Sequence, residues 1–166
     1  LSQQLKQHCH INWVDAPVSG GTVGAEQGSL AIMAGGRESD IEIARQVLKP
    51  LYNQLTHMGD VGSGQVTKIC NQMIVSCNVL VIAEMMALAK SAGVNAAKIP
   101  QALAGGFADS KPLQIVGPEM ASETSEPIKW KVQTLLKDLN MAVDLSKLQS
   151  NSIPLSGLAA QLMQLH

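Results

Sequence analysis

The chain has 166 residues, 46% hydrophobic and 15% charged, a balance typical of a folded globular protein rather than a disordered one. Its net charge of −1 and its 2% aromatic content argue against a polybasic nucleic-acid surface and against base-stacking platforms. The three cysteines have no CxxC spacing, so we expect no disulfide framework and a cytoplasmic protein.

Residues 1–60 have the pattern of one part of an α/β sheet. A short strand is predicted at residues 11–14, and the apolar run at residues 30–34, bounded by glycines, is typical of a buried strand. A glycine-rich loop joins the two. An amphipathic helix over about residues 38–50 and a possible strand at residues 55–58 follow.

The chain begins without Met, in a segment that resembles the middle of a helix. His8-Cys9-His10 is more typical of a helix end than of a metal site. A sheet of three strands alone would have an unpaired edge. We therefore expect that further strands precede this sequence in the whole protein.

Residues 61–166 are predicted to be helical. The longest helix covers residues 64–92, a length of about 43 Å at 1.5 Å per residue. Polar side chains interrupt its apolar stretch, so we interpret it as a core helix buried on most sides and not as a membrane span. It carries more apolar surface than a small bundle covers easily, which predicts a homodimer or a higher homo-oligomer. Further helices are predicted over residues 95–105, from Pro112, over residues 128–148 and from Pro154.

The segment Asp15-Ala16-Pro17-Val18-Ser19-Gly20-Gly21 follows the first predicted strand. Open α/β sheets bind ligands at the carboxyl ends of their strands. Gly20 and Gly21 lack a Cβ, so their N–H groups can approach a small anion, and Ser19 adds a hydroxyl donor. This set suits a carboxylate. Alternatively, Pro17 and the glycines serve only the geometry of a tight turn.

Residues 59–71 have the pattern GxxGxGxxxKxxN, which is neither a P-loop nor a Rossmann fingerprint. Its glycines allow a sharp turn into the long helix. Lys68 and Asn71 are three residues apart and share a helix face. We expect the helix dipole to lower the pKa of Lys68, which favours a general acid, and Asn71 could hold a substrate oxygen beside it. Alternatively, Lys68 is an ordinary surface lysine.

A third segment, Lys137-Asp138-Leu139-Asn140-Met141-Ala142, lies in a predicted amphipathic helix. Taken alone, Lys137 and Asp138 are typical of a solvated charge pair.

Together and in this order, DAPVSGG, GxxGxGxxxKxxN and KDLxxA resemble the β-hydroxyacid dehydrogenases, the family of 3-hydroxyisobutyrate dehydrogenase and tartronate semialdehyde reductase. The resemblance implies an α/β remnant of a Rossmann-type NAD(P)-binding domain at residues 1–60. It implies an all-α substrate and dimerisation domain at residues 61–166, like the C-terminal domain of 6-phosphogluconate dehydrogenase. The implied activity is hydride transfer between NAD or NADP and a small β-hydroxy acid or semialdehyde acid, such as tartronate semialdehyde, 3-hydroxyisobutyrate or glyoxylate, without a metal.

The resemblance also assigns roles. Lys68 is the catalytic residue, and Lys137 approaches the cofactor. The residues implied to contact or line the substrate site are Ser19, Gly20, Gly21, Asn71, Phe107 and Ser110, the last two by similarity to the tartronate semialdehyde reductase subgroup.

The family's GxGxxG does not occur in this sequence. We therefore interpret the chain as a C-terminal part, expected to be inactive by itself, in which the preference for NAD or NADP is not encoded. Two alternatives stay open: a non-catalytic helical dimerisation module and an acid-binding module.

Overall fold

The computed structural model describes residues 1–122 and 131–165. The chain forms two compact units, Leu1–Cys70 and Asn71–His166. The first contains a small sheet with helices, and the described residues of the second form helices joined by turns and loops. The predicted fold class, an α/β remnant followed by an all-α part, is confirmed.

The first unit contains a three-stranded sheet of order β1-β2-β3, in which β2 is antiparallel to β1 and parallel to β3. Its elements are α1 (Ser2–Cys9), β1 (Val18–Ser19), α2 (Gly21–Glu26), β2 (Leu30–Gly35), α3 (Glu38–Leu48), a 3₁₀ turn (Lys49–Leu51), β3 (Tyr52–Gly59) and the beginning of α4 (Ser63–Ser91).

Three of these elements confirm the sequence predictions: β2, α3 and β3. The prediction of a strand at residues 11–14 is wrong, because those residues lie outside the sheet and its first strand is β1, at Val18–Ser19. Strand formation depends on a pairing partner more than on residue type, and the edge of β2 pairs instead with the residues from Asp15 onwards. The loop predicted after Gly20 contains a short helix, α2, whose buried Gly24 lies against Leu30.

The edge of β2 pairs with Asp15 to Ser19 in one unbroken antiparallel register. The pairs are Asp15 with Gly35, Val18 with Ile32 and Ser19 with Ala31, and the Met33 amide donates to the Pro17 carbonyl at 3.0 Å. Side chains alternate along such a segment. Asp15, Pro17 and Ser19 therefore share one face of the sheet.

The core of the first unit lies on the opposite face. Leu30, Ile32 and Ala34 of β2 are buried there with Ile41 of α3 and Leu55 of β3. The side chains of β2 between them are exposed or half-buried. The prediction of a buried strand in a parallel or mixed sheet is confirmed, because β2 is antiparallel to β1 and parallel to β3 and four of its six residues are buried.

The second unit has two apolar clusters. One joins α4 to α5 (Ile99–Leu103) and α6 (Lys111–Ser122) around Met86, and the other joins α4 to α7 (Val132–Leu148) and α8 (Pro154–Gln164) around Leu139. The helix predicted over residues 128–148 is confirmed from residue 132 onwards, and residues 128–130 lie outside the described part. After α4 the elements are a 3₁₀ turn (Ala96–Lys98), α5 (Ile99–Leu103), α6 (Lys111–Ser122), α7 (Val132–Leu148) and α8 (Pro154–Gln164).

Helix α4 has the predicted length but not the predicted burial. Only 17% of its most apolar window is buried inside the chain. By length and composition alone, α4 is the single helix among the described residues that could cross a membrane, a test that core helices of soluble proteins also pass. The prediction of a helix buried on most sides is therefore wrong for this chain, whereas the predicted surplus of apolar surface is present.

Candidate functional site

Ser19, Gly20 and Gly21 form the junction between β1 and α2. Gly20 has φ 136° and Gly21 has φ 65°, backbone conformations that favour glycine. Ser19 is half-buried and both glycines are exposed. A Cβ at Gly20 would lie 3.1 Å from the side chain of Leu30. The turn thus presents accessible backbone and a hydroxyl, as a carboxylate site requires.

The position of this junction in the sheet corrects the sequence interpretation. Ser19 pairs near the beginning of β2, and Asp15 pairs with Gly35 at its end. Asp15 and Ser19 are four positions apart along this extended segment, which is roughly 13 Å. It is therefore Asp15, not Ser19, that lies at the carboxyl ends of β2 and β3.

Helix α4 begins at this same edge of the sheet. The chain leaves β3 at Gly59, turns through Gly62 at φ 101° and enters the helix at Ser63. Asp15 accepts two backbone hydrogen bonds here, from the Gly62 N–H to Oδ1 at 2.6 Å and from the Gln65 N–H to Oδ2 at 2.9 Å. These contacts dock the beginning of α4 on the DAPVSGG segment.

The fit around the Asp15 carboxylate depends on two glycines. A Cβ at Gly35 would lie 2.6 Å from Asp15 Oδ1, and a Cβ at Gly64 would lie 2.7 Å from Asp15 Oδ2. Real Cβ atoms do not approach other atoms so closely. The sequence interpretation gave Gly64 only a turning role, whereas the structure requires it for close packing.

Lys68 lies in the second turn of α4, beyond the part held by Asp15, and is half-buried. Asp15 and Ser19 share the face of the sheet on which α4 begins. The first unit therefore brings Ser19 and the helix that carries Lys68 to the same face.

Asn71 belongs to a hydrogen-bond chain in the second unit. Its Nδ2 donates to Gln72 Oε1 at 2.8 Å, and Gln72 Nε2 donates to Asp138 Oδ2 at 2.5 Å. Sequence reasoning missed Gln72 and Asp138, which are 66 residues apart. One N–H of the Asn71 amide is therefore engaged within the protein, whereas its second N–H could donate to a substrate oxygen and its amide oxygen could accept from a substrate hydroxyl.

Lys137 and Asp138 differ in exposure. Their Nζ and Oδ1 atoms are 3.4 Å apart, with the Lys137 side chain 69% exposed and that of Asp138 15% exposed. The interpretation of a solvated charge pair therefore describes Lys137 but not Asp138, which is held by Gln72. The Lys137 ammonium is accessible to an anionic or polar ligand.

The loop between α5 and α6 carries Phe107 and Ser110. Phe107 is fully exposed. Ser110 Oγ accepts from the Leu113 N–H at 3.1 Å, which makes Ser110 a capping residue of α6. Because the Ser110 hydroxyl only accepts in this cap, its hydrogen can still donate to a substrate, as the implied role at a substrate site requires.

Asp109 braces this loop and was missed by the sequence analysis. Its carboxylate accepts from the Gly105 N–H and from Gln114 Nε2, each at 2.7 Å. The hydrogen bond from Gly105, followed by that from Gln114, holds the pKa of Asp109 below its usual value of 3.8. The loop that presents Phe107 is thus fixed by an ionised side chain.

Among residues 1–122 and 131–165 no group of three or more His, Cys, Asp or Glu side chains could hold a metal ion. Cys9 and Cys70 are exposed and Cys77 is half-buried, all as free thiols. Helix α1 ends at Cys9, and His10 has a left-handed conformation, so the predicted helix end at these residues is confirmed.

Two family models match consecutive parts of the chain. One, described as the NAD-binding region of NADP-dependent 3-hydroxyisobutyrate dehydrogenase, matches residues 62–166, and the other, described as the NAD binding domain of 6-phosphogluconate dehydrogenase, matches residues 1–59. With the fold and motifs described above, these matches define the class as the β-hydroxyacid dehydrogenases. Within that class the chain belongs to the 3-hydroxyisobutyrate dehydrogenase family, as the three motifs predicted.

Individual relatives agree with this assignment. The chain is 38% identical over 143 residues to 2-hydroxy-3-oxopropionate reductase of Escherichia coli, covering 86% of this chain and 49% of the relative. It is 35% identical over 155 residues to a probable 3-hydroxyisobutyrate dehydrogenase of Mycobacterium tuberculosis, covering 90% and 53%. A solved structure of 3-hydroxyisobutyrate dehydrogenase with L-serine, also from Mycobacterium tuberculosis, superimposes with a TM-score of 0.83 at 29% identity, covering 98% and 59%.

The chain thus spans about half the length of the curated relatives it matches. The predicted domain boundary at residues 60 and 61 stays a prediction, as do the individual site residues.

Proposed function

We propose that the whole protein is an NAD(P)-dependent oxidoreductase that interconverts a short semialdehyde acid and the corresponding β-hydroxy acid. The observation that carries this proposal is the register of Asp15 to Ser19 on β2. It supports a site in which a carboxylate-binding turn and the beginning of the lysine-bearing helix α4 share one face of the sheet.

The substrate carboxylate would be held by the Ser19 hydroxyl and by the backbone N–H groups of Gly20 and Gly21. A bound anion gains from several convergent donors, and glycine lets the backbone approach it. Phe107 and Ser110 would line the site. The exposed junction between β1 and α2 is compatible with this role.

NAD(P)H, when bound, supplies the hydride that reduces the carbonyl carbon. The Lys68 ammonium would stabilise the developing negative charge on the oxygen and donate the proton that completes the alcohol. Asn71 would orient the reacting oxygen, by donating its second amide N–H to the carbonyl or by accepting from the hydroxyl through its amide oxygen, while its first N–H is held by Gln72. In the reverse direction neutral Lys68 would take the proton.

The cofactor contact in this chain would be Lys137. Its ammonium is exposed and its neighbour Asp138 is fixed by Gln72, which suits a residue that reaches toward a ligand from a rigid helix. The two nucleotide-binding family matches support NAD or NADP as the cofactor. The preference between them would be set outside this chain, and the chain alone is expected to be inactive.

A three-carbon acid is the favoured substrate class. The Escherichia coli relative is named for 2-hydroxy-3-oxopropionate, which is tartronate semialdehyde, and the mycobacterial structure contains L-serine. Both molecules carry a carboxylate at C1 and an oxygen at C3. 3-Hydroxyisobutyrate, with four carbons, and glyoxylate, with two, are the other candidates among short hydroxy acids and aldehyde acids.

We also propose a cytoplasmic homodimer in which α4 contributes to the interface. Ile74, Val81 and Leu88 are 66%, 55% and 70% exposed and follow one another at intervals of seven residues. Seven residues are nearly two helical turns, so the three side chains form one apolar stripe. Light scattering on the full-length protein tests this, and a monomer would refute it.

The test of the catalytic proposal is Lys68→Ala in the full-length protein. Turnover of tartronate semialdehyde, 3-hydroxyisobutyrate and glyoxylate is followed with both cofactors. We expect a loss of about a hundredfold or more, the usual contribution of a positioned general acid. Lys147→Ala, which removes an exposed lysine paired with Asp144 on α7, is the control and should leave turnover unchanged. A loss below about tenfold, or 1.4 kcal/mol of barrier, would refute the role of Lys68.

A non-catalytic dimerisation module is the second candidate, favoured by the exposed stripe on α4. An acid-binding module is the third. Dimer formation or carboxylate binding by the full-length protein without NAD(P)-dependent turnover of any of the three substrates would favour these candidates over the enzyme.

A further inference from the structure

Asp15 is the most deeply buried acidic side chain of the first unit, 6% exposed. Its backbone N–H and C=O both pair with Gly35, at 3.0 and 2.8 Å. Both of its side-chain oxygens accept N–H groups at the beginning of α4. One residue therefore connects the end of β2 to the helix that carries Lys68, entirely within Leu1–Cys70.

The first N–H groups of a helix have no acceptor within the helix. A carboxylate at that end satisfies such groups and also interacts favourably with the helix dipole. Here the carboxylate comes from a residue 50 positions away in the chain, so it fixes the position of the helix beginning relative to the sheet. A local capping residue could satisfy the same N–H group but could not provide that tertiary link.

The surrounding glycines are an independent sign that this geometry is specific. Gly35 and Gly64 both lie so close to the Asp15 oxygens that a methyl group at either position would overlap them. The packing around Gly35 and Gly64 therefore fixes the position of the Asp15 carboxylate. A shift of α4 by a fraction of a residue would separate its N–H groups from these oxygens.

We propose that Asp15 is a positioning residue for Lys68, holding the first turn of α4 so that the lysine in the next turn points at the substrate oxygen. The proposal rests on the catalytic role of Lys68 proposed above. Asp15 itself does not touch the substrate in this assignment. Loss of its carboxylate should misplace Lys68 and leave the Ser19 to Gly21 turn able to bind a carboxylate.

The test is a double-mutant cycle in the full-length protein with the variants Asp15→Asn, Lys68→Ala and their combination. Asn keeps one acceptor oxygen and loses the other, so we expect kcat to fall about tenfold and KM to change less than about threefold. In the Lys68→Ala background the same substitution should change the residual turnover, measured at raised enzyme concentration, less than about twofold. Residues that act through one another show such non-additivity. Asp60→Asn, the same chemical change on an exposed side chain of the adjacent loop, is the control and should leave kcat unchanged.

A second measurement reports the helix beginning directly. Amide hydrogen exchange at Gly62 and Gln65 should accelerate about tenfold or more in Asp15→Asn, while exchange within β2 stays the same. If Asp15→Asn does not fold, Asp15→Ser replaces it, because serine is smaller and its hydroxyl retains one oxygen that can accept a hydrogen bond.

The outcomes separate the two proposals. Equal losses from Asp15→Asn in both backgrounds, unchanged exchange at Gly62 and Gln65, or loss of folding in both Asp15 variants would overturn the positioning role and leave Asp15 purely structural. If Lys68→Ala alone retains turnover, the catalytic proposal fails whatever the Asp15 variants do.

Discussion

Gly64→Ala should destabilise the protein, although alanine is the better helix former. Within a helix this substitution normally stabilises by about 1 kcal/mol. At Gly64, however, the new Cβ would lie 2.7 Å from Asp15 Oδ2 and closer still to the Met33 carbonyl oxygen. Neither atom can move at low cost, because one accepts a hydrogen bond from Gln65 and the other belongs to a paired strand. Overpacking of this kind typically costs about 1–3 kcal/mol, and we expect Gly64→Ala to lower the free energy of unfolding by an amount in that range.

Gly157→Ala is the matched control for this prediction. Gly157 also lies in a helix, α8, and a Cβ there would meet nothing within 4 Å. The same chemical change should therefore stabilise by up to about 1 kcal/mol. Urea unfolding followed by far-UV circular dichroism gives both values from the shift in midpoint at constant slope. A Gly64→Ala protein as stable as the wild type would refute the close packing of α4 against Asp15 and Met33.

Three further predictions follow from the second unit. The Asp109 pKa lies below its usual 3.8 because Gly105 donates to the carboxylate, so the Asp109–Gly105 hydrogen bond is fully present above that value and is lost as the pH falls through the lowered pKa. The protection factor of the Gly105 amide, its exchange rate corrected for the intrinsic pH dependence, should fall there, and a constant protection factor would contradict the prediction. Leu139→Ala, at a fully buried position, should lower the free energy of unfolding in urea by about 2–5 kcal/mol. Leu148→Ala, at the exposed end of the same helix, should lower it by less than about 0.5 kcal/mol. Ile74→Lys should raise the dissociation constant of the proposed homodimer at least tenfold, as measured by sedimentation. An unchanged dissociation constant would place the interface elsewhere.

Elements with local signals were predictable from the sequence. Pro154 begins α8 and Gly93 follows α4, because proline fits a first helical turn and glycine fits the left-handed residue after a helix. The continuous apolar run of β2 and the apolar stripe of α7, which includes Leu135, Leu139 and Ala142, were equally visible in the sequence. The strand predicted at residues 11–14 was wrong because strand propensity does not reveal which segment finds an edge to pair with.

The residues of the candidate site also divide into those that a local motif reveals and those whose roles depend on contacts distant in sequence. Lys68, Ser19 and the glycines lie in short motifs that a sequence can reveal. The structural role of Asp15 was not predicted, because its carboxylate accepts hydrogen bonds from residues 47 and 50 positions further along the chain. The contact of Gln72 with Asp138, 66 positions apart, was invisible for the same reason. Sequence spacing shows which residues share a helix face, but not which distant backbone groups a side chain satisfies.

The pairing of Asp15 to Ser19 with β2 connects the observed docking of α4 and the proposed carboxylate site of the DAPVSGG segment to one register. A slip of one residue would turn every side chain of the segment to the opposite face of the sheet. Ser19 would then face the apolar core beside α3, and Asp15 would leave the N–H groups of α4. Ala16 packs on that core in the observed register, so a slip would also exchange an apolar side chain for a polar one. The cap on α4 and the apolar packing therefore enforce the same register, and that register is what would hold the carboxylate-binding turn and the lysine-bearing helix on one face.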